Sequence, residues 1–219
     1  MHNSNSPAKH SSQQQQPPPH AAAQRAVRSA WQDLKYHRTQ WQDLDDVGLR
    51  TANHLVNLVL QHTIAKGKAR WNPALSEVFG WEEKMEEGLK ADLEQPVKDL
   101  DLTLGKMGGH LKKMQAVYMR LETLIDDTAN NLGEQYVYDV SLFQTRTLDT
   151  HVTMFKKIID MYAWEASLKF RIAETLPTLR ERKHAMFYLS AWLQQPYLDV
   201  ETLNEIDELW ALETSDDVG

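Results

Sequence analysis

Apolar residues recur at intervals of three and four along most of the chain, which is the spacing of one face of an α-helix. The most regular run lies between residues 97 and 125. Nine apolar positions alternate there in steps of three and four, and we call them the seam: Val97, Leu100, Leu104, Met107, Leu111, Met114, Tyr118, Leu121 and Ile125. An uninterrupted heptad pattern of this kind predicts a coiled-coil helix over about residues 89–127.

Three glycines, Gly105, Gly108 and Gly109, interrupt this predicted helix. Each costs about 1 kcal/mol of helix stability relative to alanine. We therefore expect the seam to gain its stability from a partner helix, which lies either in this chain or in another one. Both alternatives stay open at this point, and Leu104, Leu111 and Tyr118 become candidate partner-binding residues.

Helical spacing continues on both sides of the seam. Apolar residues around Trp31 and Trp41 predict one helix, and Asp45 and Asp46 stand where acids favour the start of a second, which ends near Gly67. A loop is expected at residues 71–73.

A long central helix is expected over residues 147–176, because apolar residues occupy two of its faces. A last helix is expected from Val200 or Glu201, and no convincing strand pattern is present. The predicted fold is all-α: an elongated helical bundle with a central coiled-coil helix and a short C-terminal helical pair.

The C-terminal part of the chain is unusually rich in aromatic residues. Residues 187–197 hold Phe187, Tyr188, Trp192 and Tyr197, and Pro196 stops the helix that contains the first three. So much aromatic surface is not left in water, so this corner is either core or a docking site. Both readings stay open for the candidate partner-binding residues Trp192, Tyr197 and Trp210; docking is favoured for Tyr197 and Trp210.

Composition and charge narrow the class of protein. The chain has 219 residues, no cysteine, a formal net charge of −7 and no apolar run of membrane-spanning length or signal-peptide character. These features predict a soluble intracellular protein without disulfides. Residues 1–22 form a polar tail rich in Gln, Pro and His that is expected to be disordered, and residues 23–219 form a single helical domain.

The negative charge is concentrated at the C-terminal end. No lysine or arginine follows Lys183, whereas acids recur from Asp199 onward. An acidic terminus repels nucleic acid and favours basic protein surfaces. We expect neither direct nucleic-acid binding nor membrane binding.

Candidate chemistry is sparse. The glycine-rich fragment at residues 105–109 lacks the spacing of a phosphate-binding loop, and the carboxylates at residues 82–87 are not accompanied by the E-x-x-H pattern of a diiron bundle. We expect no catalytic residues, no metal and no cofactor, and therefore a non-enzymatic protein. Two alternatives stay open: a structural coiled-coil component of a complex, and a helical-bundle metalloenzyme with a carboxylate and histidine site.

Three islands of sequence resemble the cyclin-dependent kinase 2-interacting protein family. They are LDDVGLRTANHLVNL at residues 44–58, MYxxExxLKxR at residues 161–171 and YLSAWLQQPY at residues 188–197. Their order is that of the family, and the resemblance extends from about Trp41 to Glu213. Residues 65–139 align only by their helical character.

The resemblance implies an adaptor that links cyclin-dependent kinase and cyclin to the origin-firing kinase and to replication-origin and helicase proteins. It also implies a checkpoint kinase partner, with roles in cell division, DNA replication, DNA damage and DNA repair. Family members are further similar to subunits of an AAA ATPase complex that acts in replisome turnover and ribosome biogenesis. The implied location is nuclear, with a cytoplasmic pool as the alternative.

Two short motifs bear on a kinase connection. SPAK at residues 6–9 fits the substrate pattern of cyclin-dependent kinases, which makes Ser6 a candidate phosphorylation site. RTL at residues 146–148 fits the minimal cyclin-docking pattern. Asp149 follows where an apolar residue would help, and Leu148 is expected to face the core, so we do not expect it to act as a docking motif.

Overall fold

The computed structural model describes residues 19–70, 74 and 80–215. Its elements are six α-helices and a short 3₁₀ segment at Leu176–Thr178. The helices are α1 (Pro19–Arg70), α2 (Trp81–Leu132), α3 (Glu134–Asp139), α4 (Leu148–Thr175), α5 (Arg182–Gln194) and α6 (Val200–Thr214). Within these residues no β-strand forms, apart from an isolated bridge between Ser141 and Thr147. The all-α prediction is confirmed.

The bundle is elongated because two helices dominate it. Helices α1 and α2 each contain 52 residues, which corresponds to about 78 Å at 1.5 Å per residue. They run antiparallel and make the most extensive contact in the described chain, and α4 packs against α2. Ion pairs join the C-terminal part of α1 to the N-terminal part of α2. One of them links Lys66 Nζ to Glu86 Oε1 at 2.7 Å.

The seam finds its partner helices within the chain. Leu100, Met107, Met114 and Leu121 are buried, and so is Leu104 of the other heptad position. The remaining members of that position are only partly buried: Val97, Leu111, Tyr118 and Ile125. The buried stripe is rotated towards Leu93 and Val117, because α2 packs against both α1 and α4 rather than one supercoiled partner.

The predicted break before residue 45 is wrong, since α1 continues without interruption from Pro19 to Arg70. Asp45 does not cap a helix start. Its side chain is buried in the middle of α1 and pairs with a lysine of α4. Gly67 likewise does not end α1.

Helix α1 also starts before the predicted domain boundary. Residues 19–22 are helical, and His20 hydrogen-bonds to Tyr136 across the bundle. The rest of the predicted tail, with Ser6, lies outside the described residues, as does the loop expected at residues 71–73.

Pro96 lies well inside α2, which begins at Trp81. The other long helix agrees with its predicted limits. Thr147 caps α4 by accepting a hydrogen bond from the Thr150 N–H at 3.3 Å. Both apolar faces of α4 are buried, as expected, and Leu148 is fully buried, which agrees with the expectation for the RTL motif.

The C-terminal helical pair is confirmed. Helix α5 ends at Gln194, and α6 begins at Val200 behind the N-cap Asp199. Hydrogen bonds from the hydroxyl and the N–H of Thr202 lower the pKa of Asp199. None of the described helices combines the length and apolarity that crossing a bilayer requires.

Candidate functional site

A fully buried lysine lies where α1, α4 and α5 meet. Lys169 of α4 places its Nζ atom 2.6 Å from Asp45 Oδ1 and 3.1 Å from Glu165 Oε1. It also donates a hydrogen bond to the carbonyl oxygen of Trp192 at 3.1 Å. Two ion pairs and one hydrogen bond therefore hold the ammonium group. We call Lys169, Asp45 and Glu165 the lysine cluster.

The second oxygen of each carboxylate, Asp45 Oδ2 and Glu165 Oε2, accepts a hydrogen bond from the turn after α5. Gln195 Nε2 donates to Asp45 Oδ2 at 2.6 Å, and the backbone N–H of Tyr197 donates to Glu165 Oε2 at 3.2 Å. Gln195 has φ 44° and ψ 60°, a left-handed conformation that is costly for a residue with a side chain. Its hydrogen bond to Asp45 offsets part of that cost. The lysine cluster therefore fixes the path of the chain through the α5–α6 corner.

The indole of Trp192 completes the packing around the lysine. The ring is fully buried, with its centroid 4.8 Å from Lys169 Nζ, a cation–π geometry. Gly48 of α1 also lies against the ring, and an added Cβ there would stand 2.6 Å from Trp192 Cζ2. Only glycine lets the ring approach α1 so closely.

The three sequence islands thus meet at one place. Each contributes residues to the lysine cluster or to its immediate packing: Asp45 and Gly48, Glu165 and Lys169, Trp192 and Gln195. Sequence analysis did not find this arrangement. The available signal was a Glu–Lys pair at i and i+4 on a face of α4 that otherwise carries buried apolar residues such as Ala166 and Ile172.

Helix α6 is fastened to the bundle by an aromatic contact and a carboxylate. Trp210 stacks on Trp31 of α1, with ring centroids 4.8 Å apart and 24° between planes, and meets Phe143 edge-on. Asp207 forms an ion pair with Arg38 at 2.7 Å. These contacts hold α6 mainly through side chains.

Near its C-terminal end, α6 presents Glu213 to the loop that precedes α4. The buried carboxylate accepts hydrogen bonds from the N–H groups of Gln144, Thr145 and Arg146 and from the Thr145 hydroxyl. Burial alone would raise the pKa of Glu213, but these hydrogen bonds together lower it. An ionised Glu213 thus anchors both the loop and the end of α6.

The candidate residues from the sequence fall into two environments. Trp192 and Leu104 are core residues and offer no surface to a partner in this fold, because their side chains are buried. Leu111 and Tyr118 are partly buried on α2, and Trp210 is partly buried against Trp31. Tyr197 is exposed, so its role in docking stays a prediction.

Metal ligands do not converge in the described part of the chain, where no three His, Asp or Glu side chains are placed to share an ion. The lysine cluster itself is inaccessible to a substrate, since Lys169 and Glu165 have no exposed surface. Its role is structural: it pairs the buried ammonium group of Lys169 with two carboxylates and orients the corner.

Fold and site together define an elongated all-α bundle whose aromatic C-terminal corner is held by a buried ion cluster. No family model matches the chain. The cyclin-dependent kinase 2-interacting protein of Bos taurus is 28% identical over 160 residues, covering 73% of this chain and 74% of the relative. The Homo sapiens protein of that name is 26% identical over 170 residues, and that of Mus musculus 25% over 176, each covering 78% of this chain and 79% of the relative. The predicted resemblance is confirmed.

Substitution of Gly48 by alanine is expected to destabilise the protein by about 1–3 kcal/mol, because the new methyl group would overlap Trp192. Helix propensity alone would favour alanine by about 1 kcal/mol. The matched control is Gly105→Ala in α2, where an added Cβ meets no atom within 4 Å and stability should rise. Chemical denaturation measures both. A gain in stability at both positions would contradict the close approach of Trp192.

Histidine 151 makes acid stability testable. It is fully buried beside Phe143 and Trp210, and neither ring nitrogen has a hydrogen-bond partner among the described residues. Burial lowers its pKa from 6.5 to about 4. The neighbouring Glu213 raises that pKa only in part. The folded state therefore resists protonation that the unfolded chain accepts, so stability is full above pH 6.5 and falls as the pH drops towards 4.

We expect the substitution His151→Phe to remove the part of the pH dependence of stability that His151 causes. Relative to the variant, the parent protein should lose about 3 kcal/mol between pH 6.5 and pH 4. Denaturation curves at several pH values measure the difference, and the exposed His54→Gln serves as control. Parallel pH profiles for the parent and His151→Phe would show that His151 is not buried in its neutral form.

Proposed function

We propose that this protein is a non-catalytic adaptor of the cyclin-dependent kinase 2-interacting kind, which binds a cyclin-dependent kinase and its cyclin. The observation that carries the proposal is the similarity to three proteins of that name over about three quarters of each chain. The elongated bundle supports an adaptor, because its two helices of 52 residues offer an extended surface to partners.

The finer roles follow from the same family resemblance. We propose contacts with the origin-firing kinase, replication-origin and helicase proteins and a checkpoint kinase partner, in a nuclear location with a cytoplasmic pool. We also propose that the protein is a subunit of an AAA ATPase complex in replisome turnover and ribosome maturation. ATP hydrolysis would then belong to the ATPase subunits, and this chain would position clients.

A structural coiled-coil component is the alternative function, and it predicts self-association through the seam. Intramolecular packing weighs against it, because α1 and α4 already cover most of the seam. Light scattering of the purified chain separates the two: the adaptor should be a monomer by itself, whereas the alternative predicts a dimer or larger assembly. Metal analysis of the same sample tests the metalloenzyme reading, which predicts stoichiometric iron, manganese or zinc.

Kinase binding is tested with the full chain. Tagged protein is purified from nuclei of its own cells under native conditions, and the retained proteins are quantified against a tag-only control. We expect a cyclin-dependent kinase and its cyclin to be enriched, and the purified kinase–cyclin pair to bind the purified chain directly. Retention of no kinase would contradict the proposal, and retention without direct binding would place the kinase behind another subunit.

A further inference from the structure

Two aromatic side chains at the α5–α6 corner are stacked in solvent. Trp164 of α4 is 63% exposed and Tyr197 is 47% exposed, although their ring centroids lie 6.2 Å apart with only 29° between the planes. Exposed aromatic rings keep much of their apolar area available to a partner. We call Trp164 and Tyr197 the aromatic pair.

The lysine cluster positions the aromatic pair through Glu165. Trp164 immediately precedes Glu165, and Glu165 Oε2 accepts the backbone N–H of Tyr197. Because Glu165 is itself fixed by Lys169, both aromatic residues stand on a rigid base. A rigid anchor loses little conformational entropy when it binds, which is typical of binding hot spots.

Apolar exposure extends along the corner on either side of Tyr197. Leu193 and Val200 are 64% and 63% exposed and line a common cavity of about 390 Å³. Met186 lies two turns before Leu193 on the same outward face of α5 and is also exposed. Single exposed apolar residues are ordinary, but a run of them at one corner marks an interaction surface.

A row of unpaired carboxylates borders the corner. Glu201, Glu205 and Glu208 follow one another at helical spacing on the exposed side of α6, and none has an ion pair within the described residues. Asp207 and Glu213, by contrast, are engaged with Arg38 and with the 144–146 loop. The three carboxylates make this side of α6 predominantly acidic, with the exposed Lys157 of α4 as a cation beside its first turn.

Charge selects among the possible occupants. A second copy bound through the same patch would bring two surfaces of acidic character together, and nucleic acid or an anionic membrane would be repelled. A protein segment with apolar anchors and flanking lysine or arginine residues complements both parts of the surface.

We infer that the aromatic pair, with the adjoining exposed residues of α5 and the acidic rim of α6, docks a basic amphipathic segment of a partner protein. The inference rests on the proposed adaptor function and names the surface that serves it. Trp164 and Tyr197 anchor the apolar side of the segment, and Glu201, Glu205 and Glu208 contact its lysine and arginine side chains.

Site-specific crosslinking tests the surface directly. A photoreactive phenylalanine is placed at position 164 or 197 of the full chain, and at the exposed Tyr138 as a control outside the surface. The native complex is purified, irradiated and analysed by peptide sequencing. We expect crosslinks from 164 and 197, but not from 138, to a lysine- and arginine-rich apolar segment of an unlike chain.

Affinity for that crosslinked partner, once purified, gives the second measurement. Trp164→Ala and Tyr197→Ala should each weaken binding about 30-fold, the loss that corresponds to a hot-spot residue, while the melting temperature stays within about 2 °C. A Glu201→Lys, Glu205→Lys, Glu208→Lys triple variant should weaken binding further and reduce its salt dependence. Tyr138→Ala should change neither.

The outcomes separate this inference from the proposed function. No crosslink at 164 or 197, or a crosslink to a second copy or to an acidic segment, overturns the inference even where a kinase co-purifies. Crosslinks to a basic segment of a protein other than the kinase uphold the inference. If the kinase is also absent from the complex, the proposed kinase contact is then contradicted.

Discussion

Replacement of Lys169 by methionine is expected to lower the free energy of unfolding by about 3–5 kcal/mol. The substitution removes the cation that faces Asp45 and Glu165, whose side chains are almost completely buried. Two carboxylates would then lie without a counter-charge in a site that water does not reach. Denaturant titration at neutral pH measures the loss, and near-ultraviolet circular dichroism reports on Trp192.

A matched variant separates charge from packing. Combining Lys169→Met with Asp45→Asn and Glu165→Gln removes all three charges and retains similar side-chain volumes. Since replacement of a whole buried ionic group by neutral residues is often nearly neutral, we expect the triple variant to recover most of the loss. A single Lys169→Met variant within about 1 kcal/mol of the parent would contradict the assignment of a buried ion cluster.

Substitution of Leu104 by aspartate should destabilise the bundle by several kcal/mol, because its side chain is 2% exposed on the α2 face that meets the core. The same substitution at Leu102, two residues away and 62% exposed, should change stability by no more than about 0.5 kcal/mol. Thermal and chemical unfolding compare the two variants. Equal losses at both positions would contradict the orientation of α2.

The variants at Leu104 and Leu102 also test whether the seam packs within this chain or against another chain. If the seam bound another chain, Leu104→Asp would abolish binding of that chain and leave the stability of the purified protein unchanged. The intramolecular packing predicts the reverse order: the isolated protein unfolds more easily, and any loss of partner follows from unfolding. Measuring stability before binding decides between these alternatives.

Helix content and class were accessible from sequence because they depend on local periodicity. The heptad run predicted the core of α2, and the helix starts expected at residue 147 and at Val200 or Glu201 agree with the N-cap residues Thr147 and Asp199 that the structure shows. Pro196 likewise predicted the end of α5. Capping groups and proline act within a few residues, so their effects need no knowledge of the rest of the fold.

Local signals failed where a residue serves a distant partner. Asp45 carries the charge of a helix start, yet α1 passes straight through it, because Lys169 supplies the compensating charge 2.6 Å away. Pattern alone could not reveal this, since 124 positions separate the two residues along the chain (169 − 45). The closeness of Gly48 to Trp192 is equally invisible in sequence.

The sequence by itself determined that the protein is all-α, that an apolar seam runs along its second long helix, and that aromatic residues are enriched at its C-terminal corner. Only the tertiary structure decided which aromatic residues are core and which are exposed: Trp192 lies against Lys169 and Gly48, whereas Tyr197 and Trp164 face solvent. The physical reason is that the hydrophobic effect favours burial of each of these aromatic side chains, so it does not by itself select which one is buried. The positions of a few buried charges and one missing Cβ then determine which ring can enter the core.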